Sequence, residues 1–262
     1  MEVKDRSFIV TGAASGLGLA CLRMLLNHDA FVIGVDRDRE AFKTIEEQGL
    51  GEIKKGSGKC TRLVLGDVTE EKTILEAVEK AEQMAPLGGA VACAGIAPAA
   101  RIVGREAPHE LALFERVLRV NTLGTFNLLR LVAAAMTKNE PNTDGERGVV
   151  VCTASVAAFD GQIGQAAYAA SKGAVAAMTL PAARELAKFG IRVVTIAPGI
   201  FETPLLGAMP EEVRASLGAQ VPFPPRLGRP AEYAALVQHI LANVMLNGET
   251  IRLDGAIRMA PK

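Results

Sequence analysis

The sequence predicts an α/β protein built on one doubly wound parallel sheet, with all 262 residues in a single domain. Three observations carry that expectation. Apolar runs of strand length alternate with segments of helical periodicity along the whole chain, the order that builds a parallel sheet with helices on both faces. The first strand and helix are joined by a glycine-rich turn, Thr11-Gly-Ala-Ala-Ser-Gly-Leu-Gly18. No internal repeat and no domain-sized linker interrupts the pattern.

Composition excludes several classes. Lys+Arg and Asp+Glu balance at 29 each, without a basic stripe, so nucleic acid is not expected as a partner. Hydrophobic residues make up 49%, yet no run approaches the roughly 18 uninterrupted apolar residues of a membrane span. Cys21, Cys60, Cys93 and Cys152 lack ligand spacing and read as reduced core or cleft residues. His28, His109 and His239 are isolated, so no metal site is expected. The first strand begins almost at once, which leaves no room for a leader and gives a cytoplasmic address as the expectation.

Taken in order, Ser7–Val10 is the first strand, and Leu19–His28 carries helical periodicity through Leu22, Leu25 and Leu26. Between them the GxxxGxG spacing divides the labour. Gly12 makes the turn, Gly16 lets the backbone approach a pyrophosphate, and Gly18 lets the helix pack closely. The helix N-terminus adds N–H donors and a partial positive charge. A second strand, Ala30–Val35, ends at Asp36, twenty residues after Gly16. A carboxylate there accepts hydrogen bonds from ribose hydroxyls and repels a 2′-phosphate, which favours NAD over NADP, although Arg37 next door pulls the other way.

Residues 54–59 read as an exposed loop, and Cys60–Leu65 as a strand ending in Gly66-Asp67-Val68. Asp67 either caps the helix expected over Glu70–Met84 or faces the adenine, and both roles are compatible. Gly89–Gly95 is a fourth strand whose small residues let backbone pass close to a cofactor. A helix over Leu111–Val120 leads to Asn121, whose amide either bridges a backbone group and a water or satisfies a helix kink. After a polar connection over residues 138–148, Val149–Thr153 is a strand. Ala231–Ala242 is a late helix, and the apolar run Val244–Ile257 holds the last strand.

Chemistry concentrates between Ser155 and Lys172. Tyr168 and Lys172 are four apart in an Ala-rich helical run, so both side chains leave one face. A free phenol ionises near pH ~10, and bringing it to pH ~7 takes about 4 kcal/mol. One ammonium close by in a dry cleft can supply that. Ser155 is placed to donate to a substrate oxygen as its charge changes. The pattern suits proton-coupled hydride transfer between a secondary alcohol and a ketone.

Taken jointly, the glycine turn, Asp67-Val68, Asn121, Ser155, Tyr168, Lys172 and Pro198-Gly199 resemble the short-chain dehydrogenase/reductase family over essentially the whole length. Residues 153–174, 179–206, 220–234 and 246–259 resemble its branch of NAD-dependent 3-hydroxyacyl-CoA and hydroxysteroid dehydrogenases. The resemblance implies a Rossmann fold, a homotetramer, and Asn121, Ser155, Tyr168 and Lys172 as the catalytic set. It also implies a cofactor cleft with Ser15, Leu17, Asp36, Asp67, Val68, Cys93, Gly95, Tyr168, Lys172, Pro198, Phe201 and Thr203 around NAD. Ala92-Cys93-Ala94-Gly95 departs from the family's NNAG, and the alanine at 92 puts the tightness of the sheet's middle in question.

The substrate side is read from the residues after Ser155 and after Gly199. Gln162 and Gln165 would line the pocket wall. The apolar stretches 200–209 (with Leu205, Leu206 and Met209) and 221–225 would form a lid favouring an acyl-CoA or steroid-like substrate, unless those side chains simply pack on the core. Two alternatives remain: an NADPH-dependent 3-oxoacyl reductase, against which Asp36 speaks, and a nucleotide-bound scaffold without catalysis.

Overall fold

The computed structural model describes residues 1–47, 50, 60–207 and 210–261, so the loop predicted at 54–59 and Met209 lie outside the described residues. Among the described residues, β1 (Ser7–Thr11), β2 (Phe31–Asp36), β3 (Cys60–Leu65), β4 (Leu87–Ala92), β5 (Gly148–Thr153), β6 (Ile191–Pro198) and β7 (Thr250–Leu253) form one parallel sheet. Its order is β3-β2-β1-β4-β5-β6-β7. The helices are α1 (Gly16–Asn27), α2 (Arg39–Glu47), α3 (Glu71–Glu82), α4 (Leu111–Leu118), α5 (Gly124–Met136), α6 (Ala166–Ala187), α7 (Pro204–Gly207), α8 (Glu211–Ala219) and α9 (Pro230–Ala242). None of them is long and apolar enough to cross a membrane.

Strand periodicity assigns each side chain to one of two cores. Ile9, Ile33, Val150 and Val193 point to one face, where Ile74 and Ala77 of α3, Leu128 and Val132 of α5 and Val175 of α6 cover them. Phe8, Val10, Val149 and Val194 point to the other, beneath Leu22 and Leu25 of α1 and Val237 and Ile240 of α9. The period of two in each strand thus puts successive apolar residues on opposite helical layers, which is why these strands read as continuous apolar runs.

The strand over Gly89–Gly95 begins earlier than expected and ends at Ala92. Cys93 N still donates to Thr11 O at 3.2 Å, but Ala94 N turns to the Thr11 hydroxyl at 3.3 Å, so pairing with β1 stops there. Ala92 itself is 3% exposed and pairs in register with Thr11 and Cys152, so the sheet closes around it without an asparagine.

The order reverses between β1 and β4, where the connections leave towards opposite edges. Such a switch point opens a crevice at the carboxyl ends of the strands. On the far side of the sheet, buried Arg192 pairs with Glu146 Oε1 at 2.7 Å. It also donates to the carbonyls of Ile240, Leu241, Asn243 and Leu246, satisfying the end of α9.

Candidate active site

The crevice is framed by two turns in contact. Gly12 has φ +65° and Gly16 φ +51°, both in the left-handed region that a side chain disfavours. A Cβ on Gly12 would lie 2.8 Å from Ala94 N, so only glycine lets the turn after β1 meet the turn after β4. Gly18 faces Gly12 O so closely that a side chain would drive α1 off the strand. Ser15 is the exposed N-cap of α1 and makes no capping bond through its hydroxyl, and the first turn carries no acidic residue. Thr203 closes over Gly16, where an added Cβ would sit 3.2 Å from its methyl.

These features fit the phosphates of a dinucleotide: free N–H groups, no side chain in the way and no repelling carboxylate. Asp36 stands at the end of β2 with Oδ2 accepting from Ala14 N at 3.0 Å and Oδ1 from Arg37 N at 2.8 Å. Its carboxylate therefore stiffens the turn as well as facing the crevice. Arg37 is exposed.

Asp67 does not cap α3, contrary to one of the roles expected for it. Its Oδ1 accepts from Thr69 N at 2.8 Å in a local turn, and Glu70 occupies the cap position. Val68 is 7% exposed, its carbonyl held by Asn127 Nδ2 at 2.9 Å. The Phe201 ring is buried in the core beside Gly228, so only its backbone is left for the crevice. Pro198 ends β6, buried.

Ser155 and Tyr168 come together at the head of α6. Ser155 Oγ accepts from Ala157 N at 3.1 Å, capping a short 3-10 turn, and its hydroxyl is near enough to Tyr168 to favour the phenolate. Lys172, one turn on and 5% exposed, donates from Nζ to Thr153 O at 2.7 Å and lies 5.9 Å from the Tyr168 ring centre. Gly95 makes room here, since its Cβ would be 3.2 Å from Asn121 Oδ1 and 3.7 Å from Lys172 Nζ.

The electrostatics differ from the sequence expectation. Burial brings Lys172 down to about 8, against the pull of Cys93 and Cys152. Burial also pushes the Tyr168 phenol above its ordinary value, with the Ser155 hydrogen bond recovering part of the shift. Desolvation outweighs the help from Ser155, so these side chains alone do not ionise the phenol.

Asn121 is fully buried in a single π turn, residues Arg119–Leu123, between α4 and α5. Its Nδ2 donates to Ile96 O and to Ser171 Oγ, both at 2.9 Å, and its Oδ1 accepts from Ile96 N at 2.8 Å. Both amide hydrogens are engaged, so the side chain clamps the turn after β4 to α6 and does not donate to a water. The amide thus joins two other segments and satisfies no group of the kink itself.

The amides of Gln162 and Gln165 are engaged with each other and with the C-terminal segment. Gln162 Nε2 donates to Ala260 O at 2.9 Å, and Gln165 Oε1 accepts from Gln162 N at 3.1 Å. The loop closes on itself and on the C-terminal segment, where Ile163 N also reaches Pro261 O at 3.0 Å. Leu205 lies in α7, and its side chain is outside the described residues. Of the expected lid, Leu206 is half-buried, Val221 is buried and Phe223 is 80% exposed. Sequence reasoning missed Thr153, whose carbonyl seats Lys172, and Ser171 and Tyr233, which brace the site from α6 and α9. No motif marks them.

The profile of the short chain dehydrogenase family matches residues 6–214. The chain is 51% identical to human 3-hydroxyacyl-CoA dehydrogenase type-2 over 263 residues, 99% of this chain and 98% of that protein. A crystal structure of 3-hydroxyacyl-CoA dehydrogenase type-2 from Mycobacterium avium superposes with a TM-score of 0.91 at 42% identity, covering 98% of each chain. A 3-oxoacyl-[acyl-carrier-protein] reductase of Thermotoga maritima is 32% identical over 262 residues, 98% of this chain and 99% of that protein. With this coverage, and with serine, tyrosine and lysine gathered at the mouth of a dinucleotide crevice, the chain belongs to the short chain dehydrogenase family and is an oxidoreductase that works with a nicotinamide cofactor.

Proposed function

We propose that this protein is an NAD-dependent 3-hydroxyacyl-CoA dehydrogenase, interconverting a secondary alcohol and a ketone on an acyl-CoA. The observation that carries the chemistry is buried Lys172, held by Thr153 O at 2.7 Å and 5.9 Å from the Tyr168 ring centre, with Ser155 near the phenol. The substrate class is supported by the human and mycobacterial relatives, which match over nearly their full length. The carboxylate of Asp36 at the end of β2 supports NAD over NADP, and with it disfavours the NADPH-dependent reductase.

In the oxidative direction the substrate hydroxyl sits between Ser155 and Tyr168. Tyr168 Oη takes the hydroxyl proton as the carbinol carbon gives up its hydride. Ser155 donates to the same oxygen and holds it while it becomes a carbonyl. When bound, the oxidised nicotinamide supplies the hydride acceptor and a positive charge. Lys172 keeps its ammonium within 5.9 Å of the phenol ring, favouring the anion that burial opposes. Asn121 fixes Ser171 one residue before Lys172, which keeps α6 against the turn that follows β4. In reduction Tyr168 returns the proton.

Residues 1–262 as one domain, a homotetramer and a cytoplasmic address belong to the same proposal. Half-exposed Leu123 and Phe126 at the start of α5 offer apolar surface to a second copy, and light scattering tests the assembly. The decisive experiment follows NADH consumption with acetoacetyl-CoA, repeated with NADPH and with Tyr168→Phe. NADH-dependent turnover that falls about 100- to 10,000-fold in the variant is the expected result. No turnover with either cofactor would remove the substrate class, and a panel of hydroxysteroids would be screened next.

A further inference from the structure

Tyr233 is far from the reacting groups in the chain and lies across the sheet from them. It belongs to α9, fully buried in the apolar layer beneath α1 and α9, whereas α6 covers the opposite face. A phenol in such a place is costly unless its oxygen finds a partner. Tyr233 Oη lies 2.6 Å from Thr153 Oγ1 and 4.0 Å from Cys93 Sγ. The Thr153 hydroxyl is itself 3.7 Å from that sulfur and donates to it. A hydroxyl has one hydrogen to give, so the short bond runs from the Tyr233 hydroxyl to Thr153 Oγ1.

Thr153 is where this contact meets the chemistry. It is the last residue of β5, and alternation with Val149 and Val151 turns its side chain towards α9. Its carbonyl lies past the last pair of the β4–β5 ladder, Ala92 with Cys152, and Lys172 Nζ takes it at 2.7 Å from the α6 side. One residue is thus gripped from both faces of the sheet, by Tyr233 through the side chain and by Lys172 through the carbonyl. Thr153 and Lys172 are both buried, which leaves little room for water to stand in for either partner.

We propose that Tyr233 is a positioning residue for the reaction: acting through Thr153, it fixes the carbonyl that holds the Lys172 ammonium beside the Tyr168 phenol. This rests on the assignment of Tyr168 and Lys172 to proton transfer. The short bond holds the Thr153 side chain towards α9 and so resists rotation at the strand end. Without it the carbonyl is free to swing away from Nζ, and a buried ammonium loses part of its acceptor. The ammonium then leaves its place 5.9 Å from the phenol ring, and its attraction for the phenolate weakens. Around Nζ the other titratable groups are Tyr168 on its own helix, Cys93 after β4 and Cys152 in β5, and burial pushes Cys152 up to about 12. Cys93 is the one that shares contacts with Tyr233 and Thr153, so the test must separate it from the carbonyl.

The test reads Lys172 in the intact chain and without substrate. Lysine labelled with carbon-13 at Cε is followed by NMR from about pH 6 to 10, and Lys172→Met assigns the signal. Tyr233→Phe should lower the Lys172 midpoint by roughly half to one unit, because the charged form loses part of a hydrogen bond. Thr153→Val should do the same, Thr153→Ser, which keeps the hydroxyl, should match the native chain, and the shift should persist on a Cys93→Ala background. In oxidation of 3-hydroxybutyryl-CoA at about pH 8, Tyr233→Phe should cut turnover roughly three- to tenfold while NADH affinity stays within about twofold.

A folded Tyr233→Phe chain whose Lys172 midpoint does not move overturns the proposal, as does a moved midpoint with native turnover. A native midpoint in Thr153→Val, or a shifted one in Thr153→Ser, removes Thr153 as the route and overturns it equally. A shift that vanishes with Cys93→Ala assigns the effect to the thiol and overturns it too. Should Tyr233→Phe fail to fold, Thr153→Val decides on the same terms. The titration needs no substrate, so failure of the acyl-CoA assignment leaves it decisive.

Discussion

Replacing Gly12 by alanine isolates the contact on which the crevice depends. At φ +65° an L-residue costs about 1–2 kcal/mol relative to glycine. The new Cβ would also lie 2.8 Å from Ala94 N and 2.9 Å from the Cys93 carbonyl carbon, both backbone atoms that cannot rotate away. Relieving that overlap costs a further 1–3 kcal/mol or so. A destabilisation of about 2–5 kcal/mol is therefore expected, a large share of the ~5–15 kcal/mol that holds a typical domain together. Gly173→Ala is the matched control. It lies inside α6 with nothing within 4 Å of its added Cβ, so the same substitution should stabilise by about 0.5–1 kcal/mol through helix propensity. The chain has no tryptophan, so urea unfolding is followed by circular dichroism and NADH binding by the cofactor's own emission. Gly12→Ala should lower the midpoint and weaken NADH, and Gly173→Ala should raise the midpoint and leave NADH alone. Equal midpoints for Gly12→Ala and the native chain would refute the contact argument.

Four further outcomes are expected. Lys172 holds its proton only to about 8 when folded, against 10.5 for a free lysine. As pH rises from 8 to 10.5 the folded chain has already released that proton while the unfolded chain still binds it, so stability should rise by about 3 kcal/mol. Below pH 8 the penalty for the buried ammonium is present in full, and denaturant titrations of Lys172→Met should lack this rise. Asp36→Ala should cost NADH about ten- to hundredfold in affinity while NADPH gains, as read by parallel titrations; an unchanged ratio would remove Asp36 as the selector. Arg192→Ala leaves Glu146 paired only with the Met1 ammonium and takes the donor from the carbonyls of Ile240, Leu241, Asn243 and Leu246, and should cost about 1–3 kcal/mol in urea. Lys43→Ala breaks a surface pair that is mostly exposed on both sides, and should cost ~1 kcal/mol or less.

What could be read in advance was local. The GxxxGxG turn, the carboxylate ending β2 and the Tyr-Lys spacing each span few residues, and each has a function fixed by backbone geometry within one turn. The strands of the sheet were legible for the same reason, because both faces are covered and apolar runs have no other use there. The expectations that changed all depended on partners. Gln162 and Gln165 have the chemistry of pocket residues, but Ala260 lies across from them and takes up the donor. Asn121 has the donors a water relay needs, but Ile96 and Ser171 claim them first.

The sequence by itself therefore determined the fold class, the order of its elements and the identity of the reacting groups, since those follow from periodicity and short spacing. Only the tertiary structure decided how those groups are charged and held. Thr153 lies 19 residues from Lys172, and Tyr233 80 from Thr153, yet the first seats the ammonium and the second braces the strand that presents it. The balance of burial against nearby charge that raises Tyr168 and lowers Lys172 is a property of the whole enclosing volume. No run of neighbouring residues encodes it, because desolvation sums over every atom that excludes water, whatever its place in the chain.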